Sequence, residues 1–241
     1  MNMDINKNDL ADNPTNRVPI CLLLDISSSM DGEPIKELNE GFKIFISDLK
    51  SDVLTKYSAD LCVITFGGSY PQNIDQEVKI IKEFGPLDEL KLEKFEAYGY
   101  TPMGEAVNTA IKLLNNRKEE FKENMIQYFQ PWLVVLTDGE PTDEYLSAAN
   151  KVCSLINSQK LTIFPVGVGD NFNEDVLQQF SPQAPVLRLK GTKFKQFFQW
   201  LSASVQQVSA SNPGDKVELK TSGPKGLGSW ATLDGLFGDS D

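Results

Sequence analysis

Asp25, Ser27 and Ser29 stand at alternate positions directly after the apolar run Ile20–Leu24, in the segment LLLDISSSM. An apolar run bounded by turn residues reads as a buried strand of a parallel sheet. Open sheets of that kind bind their ligands just outside the carboxyl ends of the strands. Two more oxygen-bearing residues fall at matching places. Thr101 lies in the turn Gly99-Tyr-Thr-Pro-Met-Gly104, and Asp138 closes the apolar run Trp132–Thr137 and is followed by Gly139. Three hydroxyls and two carboxylates are hard donors, suited to Mg²⁺ first and to Mn²⁺ or Ca²⁺ next, not to zinc or copper. With water completing the shell, they can meet the octahedral demand of Mg²⁺ at about 2.0–2.1 Å. The first loop, read as an extended turn, aims its alternate side chains at one point. Taken alone, Asp25 and its serines would do no more than cap the next helix. The coincidence with Thr101 and Asp138 is what points to a metal.

The remaining segments alternate between the two periodicities of strand and helix. Strands are predicted at Val18–Asp25, Ala59–Phe66 (stopped by Gly67-Gly68), Glu77–Phe84, Trp132–Thr137, Leu161–Val168 and Val186–Leu189. Helices are predicted from Pro34 to about Lys50, from Pro102 to at least Leu114 with Thr101 as N-cap, and from Thr142 or Asp143 to about Gln159. Glu174–Phe180 reads as a short helix and Phe194–Val208 as an amphipathic closing helix. The segment from Asn115 to Gln130 either extends the second helix or forms a lobe of its own. This order predicts an α/β fold: a doubly wound, mostly parallel six-stranded sheet flanked by helices, Rossmann-like, with one antiparallel strand near the edge. Residues 1–16 read as a disordered polar arm, 17–211 as the domain, and 212–241 as a Gly/Ser-rich tail.

Composition narrows the chemistry. A net charge of −11 argues against nucleic-acid and anionic-membrane partners, both of which want a basic face. The chain has no histidine, which removes Ser-His-Asp and Cys-His catalysis and every His-ligated metal site. Cys21, Cys62 and Cys153 are widely spaced in apolar segments and read as buried thiols of a reducing compartment. The start of the chain lacks the apolar core of a signal peptide, and no apolar stretch is long enough to span a bilayer. A cytoplasmic protein is predicted.

Asp-x-Ser-x-Ser after a first strand, a Thr-Pro-x-Gly turn and a later Thr-Asp-Gly together resemble a von Willebrand factor A (vWA) domain and its metal-ion-dependent adhesion site. The segments GEPIKELNEGF, TPMGEAV, PWLVVLTDGEPTDE, FPVGVGD and KFKQFFQWLSASVQQVS resemble the bacterial tellurite-resistance-associated TerY type, over roughly Arg17 to Trp230. The resemblance implies that Asp25, Ser27, Ser29, Thr101 and Asp138 surround the metal. It implies a metal-dependent protein-binding module whose partner supplies a Glu or Asp carboxylate, a scaffold or regulator in a stress or tellurite-resistance setting. It also implies an associated protein phosphatase or kinase as partner. Ser28 departs from the pattern, since many members carry Gly there, and it removes an easy positive φ.

A competing reading is a Mg²⁺-dependent phosphoryl-transfer enzyme with Asp25 as nucleophile. Such phosphatases need a second Asp two residues on, where this chain has Ser27. Several features have plainer explanations. Glu140 and Asp143 read as helix-dipole and capping residues, Gly167-Val-Gly169 as a tight turn, and Lys112–Lys122 as a solvated face. Tyr128 and Phe129 are candidates for a partner surface, and Trp230, Leu233, Leu236 and Phe237 for a docking or recognition segment.

Overall fold

The computed structural model describes residues 10–69, 73–169, 172–183, 185–189 and 193–219. Six strands form one sheet: β1 (Val18–Ile26), β2 (Ala59–Ser69), β3 (Asn73–Lys82), β4 (Trp132–Thr137), β5 (Thr162–Val168) and β6 (Leu187–Leu189). Their order is β3-β2-β1-β4-β5-β6, with every pairing parallel except β2–β3. The predicted six-stranded sheet with one antiparallel strand at its edge is therefore the observed one. β1 and β4 are central and carry almost nothing but buried side chains, as parallel strands covered on both faces must.

Alternation along β1 sends Ile20, Leu22 and Leu24 to one core and Cys21 and Leu23 to the other. The first core is roofed by α1 (Glu33–Ser51) and closed by α6 (Phe194–Ser209), and α2 (Val53–Ser58) comes directly after α1. The second lies under α3 (Met103–Glu123), α4 (Leu146–Asn157) and α5 (Glu174–Phe180). Phe42 and Phe45 of α1 meet Phe198 of α6 at 6.3 and 5.5 Å between ring centres. The helices approach that closely because residue 41 is glycine; a Cβ there would lie 2.7 Å from the Phe198 ring. The Phe-Phe-Gln-Trp run of α6 is core.

Several boundaries differ from expectation. β2 does not stop at Gly67 but runs on to Ser69, because it pairs with a β3 that begins at Asn73 and not at Glu77. Gly67 is a point of close approach instead, since a Cβ would meet Ile26 at 2.7 Å. The segment after Leu114 extends α3 to Glu123 and is no separate lobe. Phe129 is buried in the core and offers no open aromatic surface, while Tyr128 is half-buried and packs on Phe121 at 5.1 Å. The unforeseen α2 is nucleated by Asp52, whose carboxylate accepts from the Thr55 N–H at 2.8 Å.

Three further findings concern polar groups. Arg117, in the stretch read as solvated, is 2% exposed and pairs with the equally buried Asp60 at 2.6 Å. Cys21 and Cys62 are buried free thiols, but Cys153 is only half-buried, with its Sγ 3.3 Å from the Gln179 carbonyl. Of the predicted arm, residues 1–9 lie outside the described residues. Leu10 is buried, and Asn13 Nδ2 donates to the Tyr57 carbonyl at 3.0 Å. Trp230, Leu233, Leu236 and Phe237 lie outside the described residues as well. Among the described residues, no helix is long and apolar enough to cross a membrane.

Candidate metal centre

All parallel strands leave the sheet at one edge, and three of the loops there carry the five predicted donors. The β1 loop is tighter than the extended turn expected. Ser27 is extended (φ −65°, ψ 170°), and Ser28–Met30 then form one 3₁₀ turn. Asp25 starts that turn, because its Oδ1 accepts the Ser27 N–H at 2.8 Å. Ser28 adopts no positive φ, so the missing glycine costs nothing; its N–H instead donates to the Gly99 carbonyl at 3.1 Å. This bond ties the β1 loop to the Thr101 turn.

Ser27 and Ser29 hydroxyls lie 2.9 Å apart, and the Ser29 hydroxyl donates to Asp138 Oδ1 at 2.6 Å. Asp25 Oδ2 accepts from the Thr137 hydroxyl. Thr101 enters from a third side. A carbon placed where Gly139 lacks its Cβ would lie 3.4 Å from Ser29 Oγ, 3.4 Å from Thr101 Oγ1 and 3.9 Å from Asp25 Oδ2. Oxygens of two loops thus face one small space beside Gly139 of the third. Asp25, Ser27, Ser29, Thr101 and Asp138 are brought together.

Thr101 is not the helix cap it was expected to be. Pro102 occupies the N-cap position, α3 begins at Met103, and no side chain of α3's own segment caps it. The cap is supplied from the β4 loop: Asp143 accepts from the Gly104 N–H at 3.0 Å and the Glu105 N–H at 2.8 Å. Asp143 is accordingly not the start of α4, which begins at Leu146. Thr142 fixes the same turn, its hydroxyl accepting from the Thr101 N–H at 3.0 Å and its N–H donating to the Thr101 carbonyl at 2.9 Å. Thr101's hydroxyl is thereby released from capping and left facing the site. Truncating Asp143 to Ala is expected to lower stability by about 1 kcal/mol, read by urea unfolding, because two N-terminal N–H groups lose their acceptor.

Burial dominates the electrostatics of this cluster. Burial pushes the Asp25 carboxyl up to about 7, against the hydrogen bonds from Ser27 and Thr137 that pull it down; the Asp138 charge adds to the rise. Burial raises Asp138 too, with the Ser29 hydroxyl acting the other way. Among the described residues no group of three or more His, Cys, Asp or Glu side chains forms a metal cluster. This cluster contains two acids only, and its remaining donors are hydroxyls. Sequence reasoning read Asp143 rightly as a capping residue but on the wrong helix, and it missed the positioning roles of Thr137 and Thr142. Thr137 left a signal, being the one hydroxyl in an otherwise apolar strand.

The von Willebrand factor type A domain family model matches residues 20–200, and the chain belongs to that family. Its relatives include Uncharacterized protein sll0103 of Synechocystis sp., 29% identical over 181 residues, covering 72% of this chain and 38% of the relative. Among solved structures, a von Willebrand factor type A protein from Catenulispora acidiphila superposes with a TM-score of 0.58 at 15% identity, over 80% of this chain and 43% of the other. The vWF domain of the type V pili tip protein Mfa5 from Porphyromonas gingivalis gives 0.57 at 10% identity, over 83% and 99%. At such identities the superpositions speak for the fold. The chain spans well under half the length of the Synechocystis relative.

Proposed function

We propose that this chain is a metal-dependent protein-binding module. Asp25, Ser27, Ser29, Thr101 and Asp138 would hold a divalent cation, Mg²⁺ first and Mn²⁺ or Ca²⁺ as alternatives, and a partner protein would supply a Glu or Asp carboxylate. The observation that carries this reading is the oxygen-lined space beside Gly139, faced by Ser29, Thr101 and Asp25. A bound cation supplies Lewis acidity toward an incoming carboxylate. Three of the five donors are neutral hydroxyls, so Asp25 and Asp138 alone would balance the cation's charge, and an open coordination position would take that carboxylate. The chain's own part is to hold the hydroxyls rigidly: the β1 loop through the Ser28 N–H bonded to Gly99, Thr101 through Thr142, and Ser29 through Asp138.

Asp25 is poorly disposed to act as a phosphoryl acceptor. It is completely buried, and its two oxygens are taken by the Ser27 N–H and the Thr137 hydroxyl. We read the module as a scaffold or regulator, in keeping with the resemblance of the TPMGEAV and TDGEPTDE segments to the TerY type. On that reading the setting is a bacterial stress or tellurite response, the compartment the cytoplasm, and the partner an associated protein phosphatase or kinase.

Gly139→Ala is the sharpest test. Its methyl would make only ordinary contacts at 3.4 Å and beyond, so the variant is expected to fold, yet the methyl occupies the space the donors face. Isothermal titration with Mg²⁺ or Mn²⁺ should show saturable binding to the wild type and at least a ten-fold loss in the variant. A pull-down from the native cytosol with Mg²⁺, with EDTA and with Asp25→Ala then identifies the partner. Equal metal affinity of wild type, Gly139→Ala and Asp25→Ala would sink the proposal.

A further inference from the structure

Beside the candidate metal centre, on the sheet face covered by α1 and α6, lies a groove of about 250 Å³. Its floor is formed by Ile26, Ile81, Phe95 and Tyr98. Its rim carries Glu77 and Lys79 of β3, and Glu93, Lys94 and Glu96 of the segment that runs from β3 to the Thr101 turn. Small-molecule pockets run to about 300–1,000 Å³, so this one falls below that range and has room for one long side chain.

The groove is held in shape from two sides. Asn39 of α1 binds both backbone groups of Phe95, its Oδ1 accepting from the N–H at 2.7 Å and its Nδ2 donating to the carbonyl at 2.9 Å. The Tyr98 N–H donates to the Ile26 carbonyl at 2.8 Å. The same two residues tie the groove to the candidate centre, because Ile26 follows Asp25 directly and Tyr98 stands three residues before Thr101. Glu77, on the far rim, is level with Ile26, since both pair with Gly67 of β2. Two strand spacings of about 4.8 Å separate them, so the groove reaches roughly 10 Å across the sheet. An extended segment advancing about 3.3 Å per residue covers that in about three residues.

Charge decides what fits. Three acids against two lysines leave the groove net negative. Among the described residues none of these five side chains forms a salt bridge. Glu77 is half-buried, whereas Lys79 and Lys94 are exposed, and their long stems let the ammonium groups stay in water. The approach to the centre is acidic as well: Asp31, Glu33, Glu105 and Glu140 are exposed, each within four residues of a predicted donor. A partner's carboxylate arriving alone meets this negative field, and one accompanied by a cation is relieved of it.

Resting on the metal-dependent reading above, we propose that the groove is a specificity subsite of the same docking surface. It takes an arginine or lysine side chain about two to four residues from the partner's coordinating carboxylate. The stem lies along Ile26 and Ile81, and the cationic head meets Glu77, Glu93 and Glu96. Arginine suits it better, since a planar guanidinium stacks on an aromatic ring and engages carboxylates through two bonds. The partner segment is therefore extended and carries both signs; it is not a uniformly acidic tail.

Random linear peptides displayed on phage, selected on the full chain with Mg²⁺ and eluted with EDTA, are the probe. The eluted peptides should carry Arg or Lys near a Glu or Asp, at the spacing given. A fluorescein-labelled copy of the strongest should bind Glu77→Gln/Glu96→Gln at least ten-fold more weakly than the wild type. Glu40→Gln/Glu123→Gln, which removes exposed acids elsewhere, should leave its affinity within two-fold. Changing the peptide's base to Gln should cost a similar factor against the wild type and little against the groove variant. Titration with Mg²⁺ alone should give the groove variant an affinity within two-fold of wild type, since neither residue is a donor. Eluted peptides with no such base, or with one indifferent to Glu77→Gln/Glu96→Gln, overturn the subsite and leave the metal-dependent module standing. A selection with no EDTA-eluted binder overturns the module and the subsite with it.

Discussion

Arg117→Met is expected to destabilise the protein by about 3–5 kcal/mol, the largest loss of any single substitution considered. The side chain looks expendable in the sequence, one cation among many along α3. In the structure its guanidinium is 2% exposed and grips Asp60 with two bonds, Nε to Oδ2 at 2.6 Å and Nη2 to Oδ1 at 3.3 Å. A third bond reaches Glu120 at 2.7 Å, and Asp60 also accepts the Gly85 N–H at 2.8 Å. Removing the guanidinium leaves a carboxylate sealed from water beside the first residues of β2. Most of the loss is the cost of that stranded charge, not the worth of the ion pair. Adding Asp60→Asn to Arg117→Met should therefore restore a large part of it, since the amide still accepts from Gly85 without bearing charge. Urea unfolding of the four proteins measures both numbers. A loss below about 1 kcal/mol for the single variant would refute the assignment.

The second large effect is a reversal of pH dependence by metal. In the metal-free chain burial holds the Asp25 proton up to about pH 7, whereas the same carboxyl in the unfolded chain titrates near its ordinary value of 3.8. Between those values the folded state keeps a proton that the unfolded state has released. Stability is then fully present below about pH 4 and is lost as the pH rises through 7. A rise of about three pH units is equivalent to an upper limit of about 4 kcal/mol. Burial moves Asp138 in the same direction. A divalent cation needs the ionised form, so it should stabilise strongly at pH 8 and little at pH 5. Thermal melts at pH 5, 6, 7 and 8, with Mg²⁺ and with EDTA, should show slopes that diverge as the pH rises. Asp25→Asn should flatten the metal-free slope and abolish the response to Mg²⁺; identical slopes for Asp25→Asn and wild type would remove Asp25 as the source.

The parts of the molecule legible in the sequence are those where a single physical demand dominates. β1 and β4 are buried on both faces, and nothing but an uninterrupted apolar run satisfies that, so their bounds can be read to within a residue or two. The donors are legible for a related reason. A parallel sheet puts its binding residues at strand ends, and Asp25 and Asp138 end apolar runs. The features that escape are set by partners far away in the chain. Thr101 has every local mark of an N-cap, but Asp143 takes over the capping from another loop. Arg117 sits in a charged stretch that is indistinguishable from a solvated face until Asp60 is brought against it. α2 is different, for it does carry a local signal: Asp52 stands three residues before Thr55, the spacing of a cap.

The donors of the candidate centre belong to segments that begin at β1 and end after β4, and the bond from Ser29 to Asp138 spans 109 residues of chain. Such a contact cannot form until β1 and β4 lie side by side and the Thr101 turn has docked against both. No fragment lacking β1, the Thr101 turn or the loop after β4 would hold the cation, and a growing chain would acquire the site only after β4 has been made. The ion would thus be a late arrival, unable to guide the early search of the chain and able only to hold the finished fold. Its energetic effect would fall on unfolding: at a hundred times its dissociation constant it would deepen the native state by about 2.7 kcal/mol. That increment would slow loss of structure while leaving the refolding rate nearly untouched, as for any contact absent from the transition state.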